Sequence, residues 1–301
     1  MKLFLIIVIV FWNVENFFDT RYEGVSESEK EFSSTGARHW TQKRFTSKAD
    51  GIAKTLFLIS GNTGRLPDIV AFEEVENKAV LKSLISRTLL RKLDYVPVHY
   101  ESHDHRGIDC ALLYRRSSFG EVRTRSIPIR DEEGGIVPTR DILLFEADGL
   151  AVLVNHHPSK LGGGAQDRRE AALRTLKRAC DSLAAAGARV VVAGGDYNEE
   201  RSSASDALLS PMAECSAGGG IPGTIRFQGK WETIDRVQTN RPTEVGVEIF
   251  GHDFLLEEDR THGGLKPRRC YIGPRYNGGL SDHLPLVVTI SSETLSSPGR
   301  Q

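Results

Sequence analysis

The sequence is poor in cysteine and has no excess of charge of either sign. Its four cysteines lie far apart in a chain of 301 residues, which argues against a disulfide scaffold and a thiolate zinc cluster, so they are predicted to be small buried hydrophobic residues. With 39 basic and 40 acidic side chains the formal net charge is -1, and no global positive field points to a polyanionic partner. Nucleic acid is not excluded, because a local basic rim or a bound metal ion can offset phosphate charge.

The N-terminal apolar run is shorter than a membrane span. Residues 3–10 are apolar but too few to cross a bilayer, and no small-residue cleavage site follows them. Their isoleucine and valine content is typical of a strand buried on both faces, so residues 3–12 are predicted to be the first core strand. This favours a cytoplasmic protein without stable membrane insertion. The alternative is that residues 1–10 belong to a clipped or uncleaved export signal, in an exported or periplasmic protein.

Helical and strand patterns alternate along the chain. Apolar residues recur every three or four positions from 41 to 60, which predicts a helix that Gly61 caps. Other predicted helices are 80–89 and 166–186, and predicted strands are 69–72, 95–99, 109–114, 120–128, 140–145, 151–155 and 189–193. Glycines at 162–164, 218–220 and 278–279 indicate loops. The mixture favours one layered α/β domain over residues 1–291, with a polar, disordered tail at 292–301.

Several strands end in carboxylates, amides and imidazoles, and loops at strand ends are where active sites are usually assembled. These residues are Asn13, Glu73, Glu74, Asn155, His156, Asp196, Asn198, Asp282 and His283. The oxygen donors among them suit Mg²⁺, Mn²⁺ or Ca²⁺ better than Zn²⁺. Histidines beside such a metal can hold a phosphate and manage protons. The set predicts attack of water on phosphorus.

Simpler interpretations exist for each residue alone. Asp68 and Glu76 are predicted to cap a helix or turn, and Glu73 could be a solvated charge. For Asp109, the roles of ion-pair partner and ligand are equally supported. Asp196 and its asparagine could form only a turn after two glycines. Histidines without a supporting pattern are predicted to have surface or structural roles: His39, His99, His103, His105, His252 and His262.

Seven segments resemble motifs of one family, in the same order along the chain. They are 12–19, 68–77, 106–114, 155–160, 195–198, 234–235 and 281–285, and the third matches a bacterial branch. The chain resembles the endonuclease/exonuclease/phosphatase superfamily, also called the deoxyribonuclease-I-like fold. This resemblance implies a four-layer α/β sandwich, in which two packed mixed β-sheets are flanked by helices.

The resemblance also implies the site and its metal. Mg²⁺, or alternatively Mn²⁺ or Ca²⁺, would be held chiefly by Glu74, with Asn13 and Asp282 nearby. Asp196, helped by Asn198, would orient and deprotonate the attacking water.

The same resemblance assigns the groups that meet the substrate. His283, held by Asp235, and His156 would contact phosphate oxygens and stabilise the growing charge. The residues assigned to phosphate binding are Asn13, His156, Lys160 and Arg140. For Arg140, a role as an ordinary strand-surface arginine is equally supported.

The motifs give little information about the substrate. The leading hypothesis is a metal-dependent phosphodiesterase, an endonuclease-like enzyme acting on DNA without an obligate protein partner. Alternatives are a phosphomonoesterase, a lipid-headgroup hydrolase of the sphingomyelinase or inositol phosphatase type, and a catalytically inactive binding module. Basic residues that could contact a nucleic-acid backbone are Arg38, Lys43, Arg44, Lys266, Arg268 and Arg269. The chain departs from the family pattern at Glu73 in place of glutamine, at Arg236 in place of histidine and at Lys160 in place of arginine.

Overall fold

A computed structural model describes residues 6–24, 26–160 and 165–296 of the protein. In chain order the strands are β1 Ile6–Phe17, β2 Ile69–Val75, β3 Tyr95–His99, β4 Asp109–Arg115, β5 Arg123–Ile127, β6 Ile142–Ala147, β7 Leu150–His156, β8 Val190–Asp196, β9 Ala213–Glu214, β10 Ile225–Phe227, β11 Lys230–Glu232, β12 Asp235–Thr239, β13 Val245–Ile249, β14 Leu256–Glu258, β15 Leu265–Pro267, β16 Tyr271–Ile272, β17 Arg275–Tyr276 and β18 Leu286–Ser291. The α-helices are α1 Glu27–Glu31, α2 Gln42–Thr63, α3 Lys78–Arg87, α4 Ala165–Ala185, α5 Ser203–Leu209 and α6 Ser292–Ser296, and the 3-10 helices are Leu89–Lys92, Arg116–Ser118 and Asp253–Leu255.

Each of two six-stranded sheets has one parallel pair at its centre and antiparallel strands on both sides. The first sheet has the order β13-β18-β1-β2-β4-β3, with β1 and β2 parallel. The second has the order β5-β6-β7-β8-β12-β9, with β7 and β8 parallel. Because β18 and β12 run antiparallel to β1 and β8, their amino ends lie beside the carboxyl ends of the central strands. Polar residues at these ends therefore come together at one edge of each sheet.

Apolar layers hold the sheets and helices together. Phe11 and Phe72 of the first sheet and Phe145 and Val192 of the second belong to one buried cluster. On the opposite face of the second sheet, α4 packs through residues such as Leu176. The helix α3 contacts β3 of the first sheet, and α4 contacts β8 of the second. The predicted α/β sandwich of two packed mixed sheets flanked by helices is confirmed.

The first strand and the cysteines agree with the sequence-based expectations. Every residue from 7 to 15 in β1 is buried, as the isoleucine- and valine-rich run predicts, and residues 3–5 of the predicted strand lie outside the described residues. All four cysteines are buried and free. Within the described ranges, no helix is both long and apolar enough to cross a membrane.

Several predicted boundaries differ from the observed ones. The helix predicted to stop at Gly61 continues to Thr63, and Gly64 caps it with a φ of 74°, the left-handed conformation that glycine adopts without strain. Arg140 precedes β6, which begins at Ile142. The tail predicted at 292–301 starts with the short helix α6, and residues 297–301 lie outside the described part of the chain, as do glycines 162–164.

Two glycines in β8 bring the sheets close together. A Cβ atom at Gly194 would lie 2.7 Å from the ring of Phe11 in the other sheet. Gly195 has a φ of 129°, and a Cβ there would lie 2.5 Å from Glu73 Oε1. Both positions therefore require glycine. The two glycines lie within a strand that ends at Asp196, and the chain bends at Asn198 directly after it.

The prediction that Asp68 and Glu76 cap a helix or turn is wrong, because their carboxylates accept hydrogen bonds from other segments of the chain. Asp68 Oδ2 accepts a hydrogen bond of 2.9 Å from the backbone of Val8, and its Oδ1 accepts one of 2.6 Å from Arg65. Glu76 Oε2 accepts one of 2.7 Å from the backbone of Asp19. The N-cap of α3 is Asn77, whose Oδ1 accepts a hydrogen bond of 3.0 Å from the backbone N–H of Val80.

Replacing Glu76 with glutamine is expected to flatten the pH dependence of stability. Burial raises the pKa of Glu76 from 4.5 to about 8, although the backbone N–H of Asp19 opposes this. Between these two values the folded protein holds a proton that the unfolded chain has lost, so stability falls as pH rises through this range. Glutamine keeps the acceptor for Asp19 and removes the cost of ionisation, which a pKa shift of this size puts on the order of 4 kcal/mol at pH 8.

Urea denaturation at pH 5 and pH 8 tests this prediction. The wild type should lose more stability between the two pH values than Glu76→Gln, whereas the same change at the exposed Glu133 should leave the difference unaltered. Identical pH profiles for wild type and Glu76→Gln would contradict it.

Candidate active site

Asp196, the last residue of β8, is buried at the point where the two sheets meet. Its Oδ2 accepts a hydrogen bond of 3.1 Å from Asn13 Nδ2 in β1, across 183 residues of sequence. Its Oδ1 accepts a 2.8 Å bond from the backbone of Asn198. Asn198 has a φ of 52° and donates from Nδ2 to the carbonyl of His157. Strained backbone of this kind persists where surrounding bonds hold it, often at functional sites.

A buried ion pair lies on one side of Asp196. His283 Nδ1 lies 2.8 Å from Asp235 Oδ2, and its Nε2 lies 3.9 Å from Asp196 Oδ2. The ring is positioned further by Ser281, whose hydroxyl accepts from the backbone of His283 and donates to the carbonyl of Asn13. Burial lowers the pKa of His283, but Asp235 and Asp196 outweigh burial and raise it well above its ordinary value. The ring is therefore a cation.

A second imidazole lies on the other side of Asp196 and differs in charge. His156, the last residue of β7, has Nε2 3.6 Å from Asp196 Oδ2. Burial, followed by the positive charges of Arg140 and Arg106, lowers the pKa of His156 well below its ordinary value. The ring is neutral, so its approach to the carboxylate is not an ion pair. The site thus has one charged and one neutral imidazole around a single carboxylate.

The pKa of Asp196 itself is shifted toward neutrality. Burial raises it to about 7, His283 opposes this shift, and Asp235 adds to it. A carboxylate with a pKa near the working pH is well suited to accept a proton in a reaction.

Glu73 lies beneath this carboxylate in the interior. It is fully buried, and both of its carboxyl oxygens lack a hydrogen-bond partner among the described residues. Burial, then the charges of Asp235 and Asp196, raise the pKa of Glu73 well above its ordinary value. The interpretation of Glu73 as a solvated charge is wrong. A neutral carboxylic acid here occupies the place of the amide that the family pattern has.

Glu74 follows at a bulge of β2 and points its carboxylate into the site. Its φ is 66°, and its Oε2 accepts a 2.7 Å hydrogen bond from the backbone of Asn16. Oε1 lies 4.0 Å from His156 Nε2, too far for a hydrogen bond. Arg106 approaches Oε2 at 3.8 Å and donates to Asn16 Oδ1 at 2.8 Å. Glu74 Oε1 therefore accepts no hydrogen bond from the described residues.

Asp282 lies on the outer side of the site and forms an ion pair with Arg269. Its Oδ2 accepts a 2.9 Å hydrogen bond from Arg269, and its Oδ1 lies 4.0 Å from His283 Nε2. Arg269 also lies 3.6 Å from Glu15, and burial followed by the charge of Asp282 raises the pKa of Glu15 to about 7. Asp282 and Glu15 thus share the guanidinium of Arg269 in this part of the site.

The structure brings most of the predicted site residues together and leaves two apart. The convergent residues are Asn13, Glu74, His156, Asp196, Asn198, Asp235, Asp282 and His283. Lys160 is exposed and lies 3.5 Å from Glu232. Arg140 is buried, bonded to Asp104 and to the carbonyl of His157, so it is not a strand-surface arginine.

Three residues of the site had no individual role in the sequence analysis. Glu15 and Arg106 stand inside the recognised segments 12–19 and 106–114, which was the available signal. Arg269 was grouped only with general backbone contacts. Their involvement depends on distances between segments far apart in the chain, which no local pattern contains.

Two packed mixed sheets with this polar edge place the protein among hydrolases of the deoxyribonuclease-I-like fold. The sequence profile of the Endonuclease/Exonuclease/phosphatase family matches residues 8–292. The chain belongs to this family and is a hydrolase of phosphoester bonds, which confirms the resemblance of its motifs. No curated protein sequence is significantly similar to it.

Solved structures share the fold at low sequence identity. The catalytic domain of human Nocturnin with bound sulfate is 16% identical, with a TM-score of 0.58 over 95% of this chain and 94% of that one. A family protein from Bacteroides thetaiotaomicron is 14% identical, with a TM-score of 0.58 over 95% and 98%. TDP2 from C. elegans is 17% identical, with a TM-score of 0.56 over 95% and 75%. These similarities establish the fold.

Proposed function

We propose that the protein is a metal-dependent phosphodiesterase that cleaves its substrate by attack of an activated water molecule, and that this substrate is DNA. The observation that carries the proposal is the environment of Asp196, a buried carboxylate that two amides orient and that two imidazoles flank at 3.6 and 3.9 Å. Such a set provides a base, groups that orient it, and donors for a charged phosphate within one small volume.

The side chains of the site fit a divalent ion of the magnesium type. Glu74, with Asn13 and Asp282, would hold Mg²⁺, or Mn²⁺ or Ca²⁺ in its place, because hard cations prefer carboxylate and amide oxygens. Glu74 Oε1 accepts no hydrogen bond from the described residues, which leaves it available as a ligand. When bound, such an ion withdraws charge from a phosphate oxygen.

The other residues of the site each have a separate role in the proposed reaction. Asp196 holds the water molecule and takes its proton, while Asn13 and Asn198 fix the direction of the carboxylate. The positive charge of His283 stabilises negative charge on the phosphate as it grows. The neutral ring of His156 provides a second, uncharged contact for a phosphate oxygen.

A basic rim beside the site supports a nucleic-acid substrate. Arg269 borders the site through its bond to Asp282. Arg44 lies 4.4 Å over the ring of Tyr276 and Arg38 lies 5.3 Å from the ring centre of Tyr271, and these two rings lie 5.5 Å apart, so the two arginines are neighbours. Such cations can hold a polyanionic backbone on one side of the metal.

A lipid headgroup is the second candidate substrate. Phe227 in β10 is 60% exposed and Leu265 in β15 is 51% exposed, and these two strands contact each other. Exposed apolar side chains on neighbouring hairpins suit contact with a bilayer interface.

The decisive assay compares three substrates under the same magnesium concentration. We expect nicking of supercoiled plasmid, abolished by chelator and absent from an identically purified Asp196→Asn protein. Faster release of phosphocholine from sphingomyelin vesicles would favour the lipid substrate. Fast release of inorganic phosphate from inositol polyphosphates with intact plasmid would make the enzyme a phosphatase.

Glu74→Gln is expected to raise the metal concentration needed for half-maximal activity by on the order of 10- to 100-fold. Mutation of a residue that only hydrogen-bonds to a metal ligand already weakens metal affinity by this factor. Loss of the carboxylate charge weakens attraction for the cation, while the amide still accepts from Asn16. Titration of activity with Mg²⁺ measures the change, and Glu133→Gln is the matched exposed control. Unchanged turnover in chelator-treated wild type would overturn the metal requirement.

A further inference from the structure

A histidine and two carboxylates meet at the end of the hairpin formed by β3 and β4. One ligand atom from each of His99, Glu101 and Asp109 lies within 4.8 Å of the others. His99 Nε2 is 3.2 Å from Asp109 Oδ2, and its Nδ1 is 3.6 Å from Glu101 Oε1. His99 pairs with Ala111 across the hairpin, so continuation of that register places Glu101 opposite Asp109. Alternation along the strands therefore directs all three side chains to one face.

The cluster is separate from the site around Asp196. Among the described residues, its side chains form their hydrogen bonds and ion pairs with one another and with the backbone of Ser102, which donates to Asp109 Oδ1 at 3.1 Å. None of these contacts involves Asp196 or Glu74. The function proposed for the Asp196 site does not require it.

The imidazole of His99 is buried without a hydrogen bond. Its side chain is 2% exposed, and Nε2 has no hydrogen-bond partner among the described residues in spite of its 3.2 Å separation from Asp109. A buried polar atom is normally paired, because leaving it unpaired is costly. The 3.2 Å separation of His99 Nε2 and Asp109 Oδ2 is short enough for both atoms to bind one cation, which would give the buried nitrogen a partner.

We propose that His99, Glu101 and Asp109 bind a divalent cation of the zinc type at a second metal site. An imidazole nitrogen with two carboxylate oxygens suits Zn²⁺ better than Mg²⁺, which prefers oxygen ligands alone. Two negative charges balance the charge of the ion. Glu101 is 72% exposed and gives the cation a route from solvent, while the other two ligands are buried.

This ion would fasten both ends of the loop between β3 and β4. The loop carries Asp104, which pairs with the buried Arg140 at 2.9 Å, and Arg106, which reaches Asn16 and Glu74. A cation at its base would hold Arg106 in place beside Glu74. The site is thus structural, and it acts on the reaction only through the position of the loop.

Zinc content measures the site directly. The intact protein is dialysed against buffered Zn²⁺ with excess Mg²⁺, and bound zinc is determined by elemental analysis and by the rise in Tm. We expect one equivalent of zinc in the wild type, its loss in His99→Gln and Asp109→Asn, and at least about tenfold weaker binding in Glu101→Gln, an exposed change that does not threaten folding.

Two controls separate this site from the catalytic one. His105→Gln changes an exposed histidine of the same loop and should keep its zinc, and Glu74→Gln should keep it as well. Wild type without tightly bound zinc, or unchanged zinc content in all three cluster variants, would overturn the proposal. Loss of zinc in Glu74→Gln with retention in His99→Gln would assign the ion to the Asp196 site and also overturn it.

Discussion

Asp196→Asn is expected to lower kcat by about 10²- to 10⁴-fold, the size of the contribution that a positioned base makes. The amide keeps a hydrogen-bond acceptor for Asn198 but cannot take a proton from water. The fold should tolerate the change. Because burial raises the pKa of Asp196 to about 7, ionisation costs stability as pH rises toward and through that value. A neutral amide avoids this cost, so Tm at pH 8 should be no lower than that of the wild type.

Glu73→Gln is the matched control, since it makes the same change at the neighbouring buried carboxyl. The raised pKa of Glu73 keeps its side chain neutral, so an amide should replace it with activity within a fewfold of wild type. Steady-state kinetics on plasmid or on a model diester gives both values. Equal losses in the two variants would show that activity responds to disturbed polar packing rather than to removal of a base.

The fold was predictable because its central strands are buried along most of their length. Over residues 6–12 of β1 and 190–195 of β8 the side chains on both faces are apolar or glycine, so the apolar runs alone locate the strands. Their polar ends were equally visible, since Asn13 and Asp196 stand where the apolar runs stop. The parallel pair in each sheet then brings such ends to one edge, which explains why residues 183 positions apart share a hydrogen bond.

The local sequence pattern gave wrong predictions for polar residues whose role depends on tertiary contacts. Asp68, Glu76 and Arg140 have the sequence surroundings of caps or surface charges, yet each is buried by segments distant in the chain. The same holds for His99, which has no supporting pattern in sequence and acquires its carboxylate neighbours only through the hairpin. Burial of a charge is a property of the assembled sheets, so a single window of sequence does not contain it.

The distribution of charge within the site also depends on assembly. His156 and His283 are both imidazoles near Asp196, but one lies near arginines and the other beside a second carboxylate. The first is therefore neutral and the second charged. Sequence identifies both residues, whereas their protonation follows from the neighbours that the two sheets supply.

Asp235 and His283 are expected to act as one unit in a double-mutant cycle. The 2.8 Å contact between Asp235 Oδ2 and His283 Nδ1 orients the ring and maintains its charge. We expect losses of about 10²- to 10⁴-fold in kcat/KM for each of Asp235→Asn and His283→Ala. The double variant should be little worse than the more severe single one, because a carboxylate without its imidazole has nothing left to position.

The pH profile distinguishes this positioning role from a merely structural one. Asp235 is the main group that raises the pKa of His283 against the opposing effect of burial, so its replacement should lower that pKa. Activity that needs the charged ring would then be lost at lower pH, and the alkaline limb of the profile of Asp235→Asn should move to lower pH than in the wild type. A structural defect alone would reduce activity at every pH without moving the limb. Multiplicative losses in the cycle, together with an unmoved alkaline limb, would show that the two residues act independently.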